Sequence, residues 1–265
     1  MFARIFHMDC HRCFRPVRTC LVILAIAVLM IYGEWEQIRP YLQANDYLTS
    51  GALEVLTHSL SFDKFKVIIV ILLAGLYNSS FCEDEESYFL RMILGRADVT
   101  SYCQSRFLAD TLVIICTSVI SFLLVTLCLL PAMPLLPVEQ NSAIYYQELA
   151  FRFPWLYIVV AGIQFGLVVA ACCSISMLFS AFQADRFVSV GLPGLIFFIA
   201  VSYIPDNSVF DVLPIISMDA SFFKDLDSSR LVNFSWSILY PLTIIFFTGY
   251  LFYRRIQWRV RNGNI

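Results

Sequence analysis

Four groups of residues in this 265-residue chain could do chemistry. His7, Cys10, His11 and Cys13 place four potential ligands within seven residues, and on a helix His7, Cys10 and His11 share a face, an arrangement that could suit zinc. The same residues fit a helix lying beside lipid headgroups, and no metal site is expected. Glu83-Asp84-Glu85-Glu86, followed by Arg91, offers paired carboxylates that could act as a general base on water. His7, His11 and His58 all lie upstream of this run. A phosphate-binding loop needs a Gly-rich turn ending in Gly-Lys-Ser/Thr, and none of Lys64, Lys66 and Lys224 follows a glycine. Gln164 is the notable polar residue within an apolar stretch, with Asn78 toward the end of another. No ionisable residue is expected mid-span, which disfavours an ion-coupled carrier. No catalytic constellation or cofactor site emerges, so an enzyme is not expected.

The elements that carry these residues are apolar. The chain is 59% hydrophobic, 15% aromatic and 14% charged, with a mean hydropathy of +0.75. A soluble chain of this size carries about 25% charged residues. The balance of 18 basic and 20 acidic residues excludes a strongly basic nucleic-acid binder. The expected fold is an all-α integral membrane protein, a single transmembrane domain over residues 1–265. Six stretches approach the roughly 20 apolar residues that a bilayer needs: 17–35, 64–82, 109–131, 155–180, 187–204 and 232–253. The second reaches spanning length if Lys64 and Lys66 snorkel to the surface, as Arg18 would do for the first. The first is read as a retained anchor, because Tyr32–Glu36 contains no small-x-small cleavage site. Gly191, Pro193 and Gly194 predict a kink in the fifth.

With six spans both termini share a side. That side holds twelve of the basic residues, from Arg4, Arg12, Arg15 and Arg18 through Arg91, Arg96, Arg106 and Arg186 to Arg254, Arg255, Arg259 and Arg261. Arg39, Lys64, Lys66, Arg152, Lys224 and Arg230 fall on the other. The bias makes both termini cytoplasmic in a multi-pass protein of the plasma membrane. Trp35, Trp155, Trp236 and Trp258 stand near span ends, as interfacial rings do. Outer segments 36–63, 132–154 and 205–231 are read as short helices on or dipping into the membrane, the last being the most acidic. Phe2–Arg18, with its apolar stripe and interspersed arginines, is read as an interfacial helix. Between spans two and three, the acids are expected at a helix N-terminus, with Gly95 ending that helix and Asp98 capping the next. This segment is either a membrane-surface helix pair or a docking element. In span four Gly162, Gly166, Ala170 and Ser174 recur every four residues, a small-residue stripe for internal packing or for a dimer.

The assembled pattern resembles the permease subunits of type-2 ATP-binding-cassette exporters. The matching parts are the flat basic-aromatic helix Phe2–Arg18, the six spans, the acidic start and Gly95-Arg96 turn after span two, Tyr102 and Arg106, and the basic tail Tyr253–Arg261. The likeness covers nearly the whole chain in layout. A resemblance to intramembrane CAAX-type proteases fails, because four residues rather than three separate Glu86 from Arg91. The exporter resemblance implies a coupling helix at about Glu83–Leu94, with Glu83, Asp84, Glu85, Glu86, Tyr88, Phe89, Arg91, Met92, Gly95 and Arg96 docking a separate ATPase subunit. It implies re-entrant helices in about 205–231, ATP bound only by the partner, and a second permease copy or paralogue. Membrane lipids are the remaining partners, nucleic acid is not one, and a bacterial source is expected. Gln164 and the abundant Phe suit an amphipathic peptide, drug or lipid-like substrate. The competing expectation is a stand-alone channel, secondary carrier, or sensing or assembly component.

Overall fold

The computed structural model describes residues 2–36, 38–39, 51–59, 63–94, 98–136, 147–203 and 230–263. Among these, every regular element is helical: α1 (Phe2–Cys13), α2 (Pro16–Gly33), α3 (Ala52–Ser59), α4 (Asp63–Tyr77), α5 (Ser80–Glu86), α6 (Phe89–Leu94), α7 (Val99–Leu129), α8 (Gln147–Arg152), α9 (Pro154–Ser180), α10 (Arg186–Tyr203) and α11 (Arg230–Arg261). Pro16 and Pro154 open α2 and α9 at a position where a missing N–H costs nothing. Asp185 starts α10, its Oδ1 accepting from the Phe187 N–H at 2.8 Å.

Among the described residues, five helices are long and apolar enough to cross a bilayer: α2, α4 continued into α5 over Lys66–Glu86, α7, α9, and α11 over Ser235–Arg261. The expected fifth span is α10, an 18-residue apolar helix over Arg186–Tyr203, roughly 27 Å at 1.5 Å per residue against a hydrocarbon core of about 30 Å. The chain is therefore a multi-pass helical membrane protein. The helix ends alternate, since the starts of α7 and α10 and the ends of α5 and α11 are joined by the ion pairs described below.

α9 is the central helix. It packs on α7, α10 and α11, and its expected small-residue stripe lies inside the bundle. A Cβ on Gly162 would stand 2.8 Å from Val119 Cα, and one on Gly166 would stand 2.8 Å from Ile115 Cα. These backbones meet only because two side chains are missing. Ser118 crosses the same contact and donates to the Gly162 carbonyl at 2.9 Å. Ala170 is buried, and Ser174 accepts from Thr248 of α11 at 2.8 Å. Gln164 is buried and donates to Ser237 at 2.9 Å, fastening α9 to α11. Asn78 and Ser189 clasp α4 to α10, each side chain donating to the other's carbonyl.

Three expectations are corrected by the packing. Lys66 does not snorkel; it is buried on α4, which α2 and α10 enclose. α3 does not take the first of the two forms expected for its segment, a helix lying on the surface, because Ala52, Leu53 and Leu56 are fully buried and the Ala52 and Leu53 N–H groups donate to the Pro134 and Leu135 carbonyls. α1 does not simply lie flat: Ile5, Asp9 and Cys13 are its buried stripe, and it packs on α7. The acidic segment 205–231 lies outside the described residues except for the first turn of α11, as do Gly95 and Arg96.

Gly166→Ala should lower stability by about 1–3 kcal/mol, because the new methyl meets both the Ser118 hydroxyl and the Ile115 backbone, and the backbone cannot yield as a side chain can. Gly75→Ala meets nothing within 4 Å and should be neutral or stabilising by up to about 1 kcal/mol. Unfolding in detergent checks both, and equal effects would contradict the packing described.

Candidate functional site

At the end of the bundle where α5 stops, the charges avoid solvent. Span two does not finish before the acid run. After a turn at Asn78-Ser79 it resumes as α5, so Asp84, Glu85 and Glu86 occupy a helix C-terminus rather than the expected N-terminus. That position is unfavourable for the macrodipole, and each of the three acids has an arginine. Glu86 pairs with Arg186 on the surface. Half-buried Glu85 accepts from Arg259 Nη1 at 2.9 Å. Asp84 is fully buried, accepts from Arg12 at 2.9 Å and forms an ion pair with Arg106.

Arg106 is the hub. It is fully buried, bridges Asp84, and lies 3.6 Å from Asp9. Tyr77 donates to Asp9 Oδ1 at 2.8 Å and accepts from Arg106. Tyr102 donates to Asp84 Oδ2 at 3.2 Å, and Ser105 donates to Asp9. The Tyr77 and Tyr102 rings also stack on the guanidinium, 5.1 and 5.3 Å from ring centroid to Cζ. α1, α4, α5 and α7 thus converge on one guanidinium, with two carboxylates and two arginines in balance. Asp110, one turn beyond Arg106, is buried with Oδ1 lacking a hydrogen bond. Arg106 lies outside the expected span 109–131 and Asp110 at its edge; both are drawn into the bundle because helix α7 begins at Val99.

α6 hangs from this clamp. α5 ends at Ser87, whose hydroxyl donates to the Glu83 carbonyl at 2.7 Å. Tyr88 takes the left-handed conformation, with φ of 57°. The segment Glu83–Leu94 is thus two short helices meeting at a corner, not one. Leu90 is buried in a second apolar cluster with Phe81, Tyr102 and Phe252. Arg12, besides binding Asp84, stands over the Phe89 ring at 5.5 Å. Tyr88, Arg91 and Met92 point out, Tyr88 and Met92 being 66% and 62% exposed. Of the expected docking residues, Asp84 is sequestered, Glu85 and Glu86 are engaged internally, and Tyr88, Arg91 and Met92 form the free face.

Asp9, Tyr77, Ser105 and Asp110 were not among the expected site residues. Two spacings carry the signal: Ile5-Asp9-Cys13 sets an acid in an otherwise apolar i, i+4 stripe, and Arg106-Asp110 sets an i, i+4 charge pair at the mouth of an apolar helix. His7, Cys10, His11 and Cys13 do not converge, and among the described residues no group of three or more His, Cys, Asp or Glu is placed to hold a metal. Burial, with a smaller contribution from the Asp9 carboxylate, pushes the Cys10 thiol up. Burial pushes the Cys13 thiol up much further, helped by Asp110 and Asp9.

Arg106→Met should destabilise the protein by about 3–5 kcal/mol, since it strands Asp9 and Asp84 as buried charges. Adding Asp84→Leu should restore part of that loss, read by unfolding in detergent. With its pKa raised, Cys13 stays a neutral thiol at pH 7–8 and should resist N-ethylmaleimide until the protein is unfolded, whereas half-buried Cys10 reacts first. Peptide mapping by mass spectrometry checks this, and equal rates would contradict the burial.

Compared with known proteins, the chain matches no family model, no curated protein and no solved structure.

Proposed function

We propose that this chain is the membrane-spanning permease subunit of an ATP-driven exporter of the type-2 ATP-binding-cassette kind, working on a separate ATPase and moving an amphipathic substrate across the plasma membrane. The observation that carries the reading is the mounting of α6. Its Tyr88, Arg91 and Met92 face outward, while Leu90 and the Asp84–Arg106–Asp9 clamp tie the same corner to α1, α4 and α7. A partner pressing on α6 would move these helices together rather than bend a loop. The end that bears α6 also gathers Arg12, Arg106, Arg186 and Arg259, which agrees with a cytoplasmic placement.

In this mechanism two permease chains pair, each seated on one ATPase subunit. ATP binding closes the ATPase dimer, and the closure rocks each permease through α6. The different affinities of the two permease states for the closed partner supply the drive. The chain contributes docking, leverage and the pathway walls, and binds no nucleotide.

A second reading, a stand-alone secondary carrier, is favoured by buried Asp110 with its unpartnered oxygen. On that reading, flux into vesicles would need no nucleotide and Asp110→Asn would abolish it.

Met92→Glu should cut co-purification of the partner ATPase by about tenfold or more, the loss of roughly 1.4 kcal/mol of interface energy. Tyr88→Ala should act in the same direction, and both variants should keep wild-type thermal stability because neither side chain is buried. Transport by the purified chain alone, without nucleotide, would overturn the exporter reading.

A further inference from the structure

On the face of α7 turned away from the charge clamp, a groove of about 570 Å³ separates it from α11. The two helices run antiparallel here, so the lining has an order. Thr100 and Tyr253 stand at the end of the bundle, Phe107 faces Gly249 one to two turns deeper, and Leu108, Ile245 and Phe246 lie toward the middle. Gly249 makes the floor: a Cβ there would come within 3.3 Å of Phe107 Cδ1.

Polarity changes along the groove in the same sense as across half a bilayer. Thr100, Gln104, Tyr250 and Tyr253 offer hydroxyl and amide donors toward the outer end, none engaged in a side-chain hydrogen bond among the described residues. Exposed Arg254 follows one turn beyond Tyr250 on the same stripe of α11, and no acid lines the groove. The inner end is wholly apolar, with Phe246 81% exposed.

The order of the lining decides the occupant. A molecule with one anionic polar end and a long apolar remainder matches the donors and Arg254 at the outer end and the apolar inner end, whereas an apolar helix laid along the groove would leave those donors without partners. We infer that this groove binds a membrane phospholipid with an anionic headgroup, its acyl portion along Phe107, Leu108 and Phe246 and its phosphate near Arg254, Thr100 and Tyr253. This inference rests on the chain being a membrane protein and is independent of the exporter reading.

The test uses the full chain reconstituted in equal amounts of phosphatidylglycerol and phosphatidylcholine, then released for native mass spectrometry. The wild type should retain phosphatidylglycerol in preference to phosphatidylcholine. Arg254→Gln, an exposed substitution that leaves the fold alone, should lower that preference about fivefold without lowering total retained lipid. Gly249→Leu should remove the retained lipid, and its thermal unfolding is recorded beside it. Leu108→Asn, at an exposed position, gives the same readout should Gly249→Leu fail to fold. Retention of neither lipid, or equal retention of both by the wild type, overturns the inference. So does a preference unchanged in Arg254→Gln. If Gly249→Leu instead dissolves a dimer and leaves lipid retention intact, a second copy occupies the groove and the lipid assignment is wrong.

Discussion

The structure depends on keeping one guanidinium out of water. Burying Arg106 would cost several kcal/mol if it stood alone. It is tolerable because α1 and α5 each deliver an aspartate and α4 and α7 each deliver a tyrosine to the same point. The interaction acts in both directions. Once Arg106 is inside, none of the four elements can leave without stranding a charge. The N-terminal helix, which composition alone would place loosely on the membrane, is therefore part of the bundle. Such a cluster adds less to net stability than its short contacts suggest, since well-packed apolar residues could replace it. What it adds is a single geometry: only one register of α1 places Asp9 beside Tyr77 and Arg106.

Away from the clamp, the bundle is held by contact rather than charge. Lipid tails are as apolar as the side chains, so burial of apolar surface does little to drive helices together in a bilayer. Close backbone approach and polar bonds between helices do that work. Gly162 and Gly166 bring α9 against α7, while Gln164, Asn78, Ser174 and Ser189 fasten α9 and α4 to their neighbours. The polar residues that stood out in the apolar stretches are thus mostly glue. α2 and α11 sit at the periphery, each with only 22% of its spanning window buried, against 72% for α9. Their outer faces are the least covered of the five spanning windows among the described residues.

Periodicity and hydropathy made the membrane class, the long helices and the α9 stripe legible in the sequence, because each is written in residues close together along one helix. The clamp was not legible in the same way. Asp9, Asp84 and Arg106 are far apart in the chain, and each alone looks like a solvated charge near a span end. Only the position of the helix starts turns them inward, and α5 shows why that was hard to foresee. An acid run ordinarily marks a helix beginning, whereas here three arginines from elsewhere in the fold allow it to finish one. The free face of α6 was not legible: Tyr88, Arg91 and Met92 were expected within one undivided docking run from Glu83 to Arg96, and the corner at Tyr88 that separates them from the acids depends on a left-handed residue that hydropathy does not mark.

The acid run therefore divides into two kinds of residue with different consequences for any partner. Asp84 and Glu85 are committed to the bundle, and Arg106 and Arg259 neutralise them before a partner arrives. Their charge is not what a docking protein would meet. A partner approaching this end encounters Tyr88, Arg91 and Met92, an aromatic, a cation and a thioether on a short helix whose opposite side is anchored by Leu90. Such a surface gains affinity from apolar burial at its centre, and charge serves mainly to orient the approach. The Glu86–Arg186 pair lies exposed beside it and can exchange partners at little cost, because a solvated ion pair holds its geometry weakly. Motion imposed on α6 would then pass inward through the neutralised, buried acids. An adjustable contact, at Glu86, joins the end of α5 to the start of α10.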